Sequence, residues 1–592
     1  MSIDVPVLRY STEEPDPRYS VLGGTQIDTN GRFIVRGVHG VGTINGTHFV
    51  TNAVDLAKAL RLYEEEPEIL GGSIRGALTI YVEDLRSKTF FILTDPLGSS
   101  IVYSYVKSGE VYCSSSLRNL LGILKNNGIE PRKSLAYAAV LAVTEFGGLI
   151  DSPYVDITAL EPFHFLEFSK SGVDTKVYPL CDEIFGKIQG YGANIAVMRQ
   201  QVSADILANL KAASRYQASS HICHVSGDLD ERTLLAGLER SGYRQKYTLH
   251  TNAALTSEGT LNSRSLAGSL KMKLSRYPGH EIAVKPGNSA EDMRWRFHET
   301  FGVLCGPASV GLRRADSVVL AGGFGALLRE PIPVSNTVNE KELFDESKLL
   351  ELCLGEYDGK PGVLRELLGP DLLERCIHKL RDIVKSAKKF CIPNESLPEF
   401  LWLYTKGRYI DGESSRSMSE YSHRFDPLYT PWVIPATGNY SREDRRNNFL
   451  QLDIIRDLSE ELTSLPFNKS VRVDEFFSAH PQIKQRNFQH AQSKLDLHHF
   501  SLSALLIQPE QVAILEEHET ESRRLGLPAR RIAETDEKRQ RVLEMILEIE
   551  SNVIGECFVR DEVVKRFKTR PRWVPQYRLI ERIHGGLEWF LE

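Results

Sequence analysis

The chain has 592 residues, 41% hydrophobic and 25% charged, with 72 basic against 78 acidic side chains and a net charge of -6. That length exceeds one ordinary core and implies two domains, and the near balance of charge excludes the bulk basic footprint of a nucleic-acid binder. No stretch approaches the roughly eighteen uninterrupted apolar residues of a membrane span, and Met-Ser-Ile-Asp-Val-Pro is no basic-then-apolar leader, so the expectation is a cytoplasmic protein with neither membrane nor nucleic acid as partner.

Up to about residue 180 the pattern is short and β-rich: Arg32–Val35, Thr47–Val50, Ala77–Val82, Thr89–Leu93 and Ile101–Tyr105, punctuated by Gly, Asp and Asn. Glu83–Lys88 reads as the turn of a hairpin, and Asp95-Pro96-Leu97-Gly98 turns the chain toward a further strand. Helices are predicted at 54–65 and 116–125, giving an α+β unit. Near residue 190 the period changes: Ile195, Met198, Val202, Ile206 and Leu210 mark an amphipathic helix.

The run His221-Ile222-Cys223-His224-Val225-Ser226-Gly227-Asp228-Leu229-Asp230-Glu231 then reads as a strand that delivers Ser226-Gly227 to a turn opening a helix, with Thr233, Leu234, Leu235 and Leu238 at helical spacing. Backbone N–H groups at such a turn suit a phosphate, but Asp228 and Glu231 repel one unless Mg²⁺ lies between. The bland alternative is an ordinary strand-to-helix turn with Asp230 near the N-cap. A strand at Tyr247–His250, helices at 261–274 and 290–303, and the strand Ser317–Leu320 ending at Ala321-Gly322-Gly323-Phe324-Gly325 predict a parallel sheet with its ligand crevice at the strand ends. For Gly322-Gly323 a turn requiring positive φ competes with a nucleotide contact.

Alternation along the strand puts His224 on the opposite face from His221 and Cys223, which speaks against a shared metal ion. His490, His498 and His499 read as a solvated helix face. Beyond about residue 340 the chain is mostly helical, with Trp402, Tyr404, Tyr409 and Tyr421 as an aromatic cluster and Val542, Ile546 and Ile549 along one face before Gly555. The eight cysteines form no CxxC pair and read as reduced thiols.

Several segments together carry a family likeness. Gly76–Gly98, Tyr103, Ser114-Ser115-Ser116-Leu117, Leu120-Leu121 and Ile157–Pro162 resemble the amidotransferase-like domain of asparagine synthetases, and the second half resembles their synthetase domain. There Ser226–Glu231 is similar to the family's Ser-Gly-Gly-x-Asp-Ser pyrophosphate loop, Leu320–Leu327 to its second loop, and Arg424-Phe425-Asp426-Pro427 with Leu465-Pro466 to its helical landmarks. The resemblance implies an Ntn-type αββα sandwich over residues 1–185, without the catalytic Cys, followed over 190–592 by an α/β parallel-sheet, helix-rich synthetase domain of the PP-loop, adenine nucleotide α-hydrolase-like class. It further implies ATP and Mg²⁺ as cofactors, with Ser226, Gly227, Asp228, Leu229, Asp230, Gly322 and Gly323 around the nucleotide and Asp230 on the metal.

The departures narrow this. Glutamine-hydrolysing members use a Cys at position 2, where this chain has Ser2, so glutamine hydrolysis is not expected. Lasso-peptide cyclases and β-lactam synthetases share that loss, which implies carboxylate adenylation and ring-forming amide synthesis on a peptide or small-molecule carboxylate, with a precursor peptide or leader-processing protein as partner. The acids of the second loop are replaced by Ala326 and Leu327, and Gly323 replaces another, leaving Asp228 or Glu231 as substitutes; no Lys aligns with the family's catalytic one. The sequence therefore supports two readings: an AMP-forming carbon–nitrogen ligase, or a silent relative that keeps the fold as a binding or scaffolding partner.

Overall fold

The computed structural model describes residues 5–11, 18–29, 31–188, 194–225, 228–251, 258–275, 316–332, 345–354, 356–357, 360–361, 363–419, 422–468, 471–486, 520–522, 524–525 and 529–591. Two antiparallel sheets stack in its first part. One runs Ile157–Ala159, Tyr103–Lys107, Glu110–Ser114, Val7–Ser11, Arg18–Leu22; the other runs Gly172–Val177, His164–Ser169, Thr89–Thr94, Leu78–Asp84, Phe33–Gly40, Ile27–Asp28. Alternation decides what lies between them. Leu8, Tyr10 and Cys113 from the first sheet meet Tyr81, Phe90, Ile92, Leu166 and Phe168 from the second. The intervening residues Val7, Tyr103 and Tyr112, and Val35, Ile80, Val82 and Leu93, face outward into helices.

Those helices start where the sequence supplies caps. Ser116 accepts the Asn119 N–H at the head of Leu117–Asn126, and Asn52 accepts from Val54 and Asp55 at the head of Ala53–Leu60. The first helix packs on the five-stranded sheet, and the second, with Pro67–Gly72, on the six-stranded one, which makes four layers.

Leu135–Thr144 is buried on every side, as its all-apolar sequence requires. The C-terminal helix Val574–Leu591 covers it: Arg582 donates to the Ala142 carbonyl at 2.7 Å, Lys133 donates to the Trp589 carbonyl at 2.7 Å, and the Trp589 ring meets Tyr154 edge-on. Ala529–Glu548 packs behind it and buries Val542 and Ile546. The end of the chain thus closes the core of its beginning.

The second sheet system is wholly parallel, in the order Leu274–Ser275, Thr248–His250, Ser220–His224, Ser317–Leu320, His423–Phe425. The strand that comes first in sequence lies in the middle. The chain builds outward to one side and then crosses to the other, so a switch in direction falls between Ser220–His224 and Ser317–Leu320, where connections diverge and leave a crevice at the carboxyl ends.

Ile195–Arg215 buries Met198, Val202, Ile206 and Leu210 as its period predicts. The helix expected at 261–274 spans Glu258–Ser269 and yields to a short strand, while the helix expected at 290–303, His490, His498, His499 and Tyr421 lie outside the described residues. Arg424-Phe425 is not part of a helical landmark but an edge strand of the sheet, and Leu465-Pro466 lies just past the end of the helix Glu460–Ser464. No helix among the described residues is long and apolar enough to cross a membrane.

Candidate ligand cleft at the strand ends

A cleft of about 420 Å³ opens at the switch point, lined by His224, Asp230, Gly322, Gly323, Lys406 and Asp411 among others. Of the residues proposed from sequence, Ser226 and Gly227 lie outside the described residues. Asp228 is the N-cap of the helix Leu229–Ser241 and accepts from Asn468 at 2.7 Å; Leu229 is buried in the core and offers no side chain to the cleft. Asp230, Gly322 and Gly323 line the cavity together.

The Asp230 carboxylate is already engaged. Arg329 donates to Oδ2 at 2.8 Å and Gln451, from the helix Phe449–Leu458, donates to Oδ1 at 2.9 Å. Burial raises the Asp230 pKa, opposed by Arg329 and the Gln451 hydrogen bond.

The Ala321–Gly325 turn folds directly onto this carboxyl. A Cβ on Gly322 would lie 2.8 Å from Asp230 Cβ, and one on Gly325 would overlap the Asp230 carboxyl group itself. Neither Gly322 nor Gly323 adopts positive φ; the left-handed residue of the turn is Phe324, at φ 65°. The glycines are therefore required by close approach of carboxylates and not by backbone conformation, contrary to the turn expectation from sequence. Gly325→Ala is expected to push Asp230 off Arg329 and destabilise the chain by about 1–3 kcal/mol, read as a lowered thermal midpoint.

Where the second turn itself offers Ala326 and Leu327, carboxylates reach it from across the chain. Asp426, at the end of the edge strand, accepts the Gly323 N–H at 3.0 Å and a hydrogen bond from Ser415, and a Cβ on Gly323 would lie 2.6 Å from its Cγ. Asp411 accepts the Phe324 N–H at 2.9 Å, which holds that left-handed residue in place. Asp426 and Asp411 thus place carboxylates around the second loop; of the two acids expected from sequence, Glu231 lines the same cleft and Asp228 does not.

Asp411 belongs to a π-helical stretch, Leu403–Gly412, whose wider turn puts Lys406, Ile410 and Asp411 on one wall of the cleft. Burial pushes the Asp411 carboxyl up to about 7, helped by Asp426 and Asp230 and opposed by the Phe324 N–H and Arg424. On the far wall burial, Arg424 and His250 hold His224 down to about 3, so it is neutral at physiological pH.

A divalent metal does not fit this arrangement as it stands. Each Asp230 oxygen already accepts from a side-chain donor, Arg329 already supplies the cation, and no group of three His, Cys, Asp or Glu among the described residues could hold an ion. For a nucleotide triphosphate the helix N-terminus is equally unfavourable, because Asp228, Asp230 and Glu231 themselves occupy its first turn.

The sandwich grips the wall that carries Lys406 and Asp411. Arg408 donates to the Leu160 carbonyl at 2.6 Å and Tyr409 to the Asp151 carbonyl at 3.1 Å. Tyr429 accepts the Leu97 N–H at 2.8 Å and donates to Asp95, whose carboxylate also takes the N–H groups of Ser99 and Ser100. Deeper in, Arg416 forks onto Glu413 and reaches His39 Nε2 at 3.3 Å. A guanidinium only donates, so His39 accepts there, carries its proton on Nδ1 and donates to Ser115 Oγ at 2.8 Å.

No family model matches the chain, and no curated protein does. Among solved structures it is similar to one described as the allosteric regulatory enzyme of purine biosynthesis, at 9% identity over 59% of this chain and 72% of that one, with a TM-score of 0.18. A likeness this slight fixes neither fold nor function.

Proposed function

We propose that this chain is a non-adenylating relative of the asparagine-synthetase-like group, whose strand-end cleft binds a ligand and whose fold serves as a binding or scaffolding partner. One observation carries this reading: the Asp230 carboxylate, to which the resemblance assigns Mg²⁺, is closed off by Arg329, Gln451 and the backbone of Gly325. A carboxylate-adenylating enzyme must neutralise a triphosphate through metal and cationic groups, and a helix N-terminus that already holds three acids opposes it. On this view the amidotransferase-like sandwich, which carries Ser2 in place of the nucleophile, is kept because it positions the cleft wall.

The reading is tested by pyrophosphate release from ATP and Mg²⁺ over a panel of peptides and small carboxylates. Release no faster than without protein is expected. Turnover abolished by Asp230→Asn would contradict it.

A second reading has one observation in its favour. Lys406 and Asp411 share a wall, and Asp411 titrates near neutral pH, as a group that holds or releases a proton during catalysis does. Under it, the chain would form amide bonds on a peptide or small-molecule carboxylate, without glutamine, and Mg·ATP would have to displace Arg329 from Asp230.

A further inference from the structure

We infer that Arg329 is a resident cation, holding on the Asp230 carboxylate the place a divalent metal takes in metal-dependent phosphate sites, so that the cleft works without metal. This rests on the cleft being the functional site.

Three carboxylates surround one turn of four residues. Gly322 lies against Asp230, Gly323 against Asp426, and the Phe324 N–H points at Asp411. Acids gathered this closely at a strand-end crevice require counter-charge, whether hard cations, protons or basic side chains. The chain supplies it from within. Arg329 lies 2.8 Å from Asp230 and Arg424 lies 3.7 Å from Asp426, while Asp411 accepts the Phe324 N–H and burial raises its pKa to about 7.

A guanidinium fulfils only part of a metal's role. It remains charged at any pH the protein meets and donates hydrogen bonds in one plane, but it is tethered, so it neither arrives with a ligand nor leaves with a product. It also lacks a vacant coordination position through which to activate water or polarise a phosphoryl oxygen. Substituting arginine for metal therefore preserves the electrostatics of binding and removes the Lewis acid. Lys406 also lines the cavity, with its ammonium over the Phe146 ring and in no ion pair among the described residues.

The masked acid should be recoverable. Titration of the full chain with Mn²⁺, read as loss of the free-ion signal in electron paramagnetic resonance, is expected to show no saturable site in the wild type. Arg329→Gln should create one, bound on the order of tenfold or more above the wild-type background, the size of effect a single well-placed charge produces. Arg329→Gln combined with Asp230→Asn should abolish it, and Arg329→Lys, which restores the charge, should remain without it. Circular dichroism confirms that each variant is folded.

Saturable Mn²⁺ binding by the wild type that disappears in Asp230→Asn would overturn the inference, and this arm needs no Arg329 variant to fold. A folded Arg329→Gln chain that gains no site would overturn it as well. Because the readout is the ion alone, failure here is distinct from failure of the non-adenylating reading, which is judged by pyrophosphate.

Discussion

Glu413→Gln is expected to destabilise the protein by about 3–5 kcal/mol, the cost of leaving a buried charge without its partner. Glu413 and Arg416 are 0% and 2% exposed, joined by a forked pair with Nη2 at 2.6 Å. Arg416 also reaches His39, which is neutral because burial and Arg416 hold its pKa well below the usual imidazole value. Burial shields the guanidinium from bulk solvent, and the His39 nitrogen that accepts from it is neutral and cannot replace a carboxylate. Arg416→Met should cost a similar amount by stranding Glu413. The double variant should recover part of the loss, because an apolar side chain and a neutral amide need no mutual charge. Chemical denaturation followed by intrinsic fluorescence measures all three. If the pair only decorated a surface, each single change would cost less than about 1 kcal/mol.

Asp411→Asn is expected to remove a pH dependence of stability. The Asp411 pKa rises from an ordinary carboxylate value to about 7 on folding, so the folded state binds its proton more tightly than the unfolded state does. The stability this contributes is complete below the unfolded value, near pH 4, and is lost as pH rises through about 7. Asn keeps the oxygen that accepts the Phe324 N–H and never ionises. Above about pH 8 the variant should therefore be more stable than the wild type by about 1–3 kcal/mol, with the difference vanishing near pH 4. Because Asp411 is half-buried, solvent screening keeps this difference below the full value of the shift. Buried neutral histidines such as His39 and His224 titrate with the opposite sign, losing stability as pH falls below their unfolded value, and cancel in the comparison. Thermal midpoints of both proteins between about pH 4 and 9 measure it; parallel curves would place the titration elsewhere.

The parts of this architecture that the sequence announced are those written in local pattern. Val225 closes a strand whose apolar run is short and bounded, Asp230 follows it in the first helical turn, and Gly322-Gly323 ends another such strand; their meeting at one crevice follows from parallel topology alone. Asp95 and Leu97 stood in segments marked by family resemblance, and both carry contacts from the sandwich to Tyr429 beside the second sheet system.

What remained hidden was non-local. Asp411 and Lys406 lie on a π-helix, whose period matches neither the 3.6 nor the 2.0 template by which a sequence is read. Arg329 and Asp230 are separated by 99 residues, and His39 and Arg416 by 377. A lone arginine carries no motif, and only the fold reveals which acid it neutralises. The same limit explains Asp426: its segment was recognised, but a three-residue edge strand has too little pattern to show that it ends beside Gly323.

On the non-adenylating reading, Arg329 and the Gly322–Gly325 backbone leave Asp230 no means of holding a metal-bound nucleotide. Calorimetric titration of the full chain with ATP, with and without Mg²⁺, tests it most directly. No heat of binding is expected from Mg·ATP at millimolar concentration, and no gain on adding Mg²⁺. Saturable Mg·ATP binding that requires the metal and disappears in Asp230→Ala would contradict it.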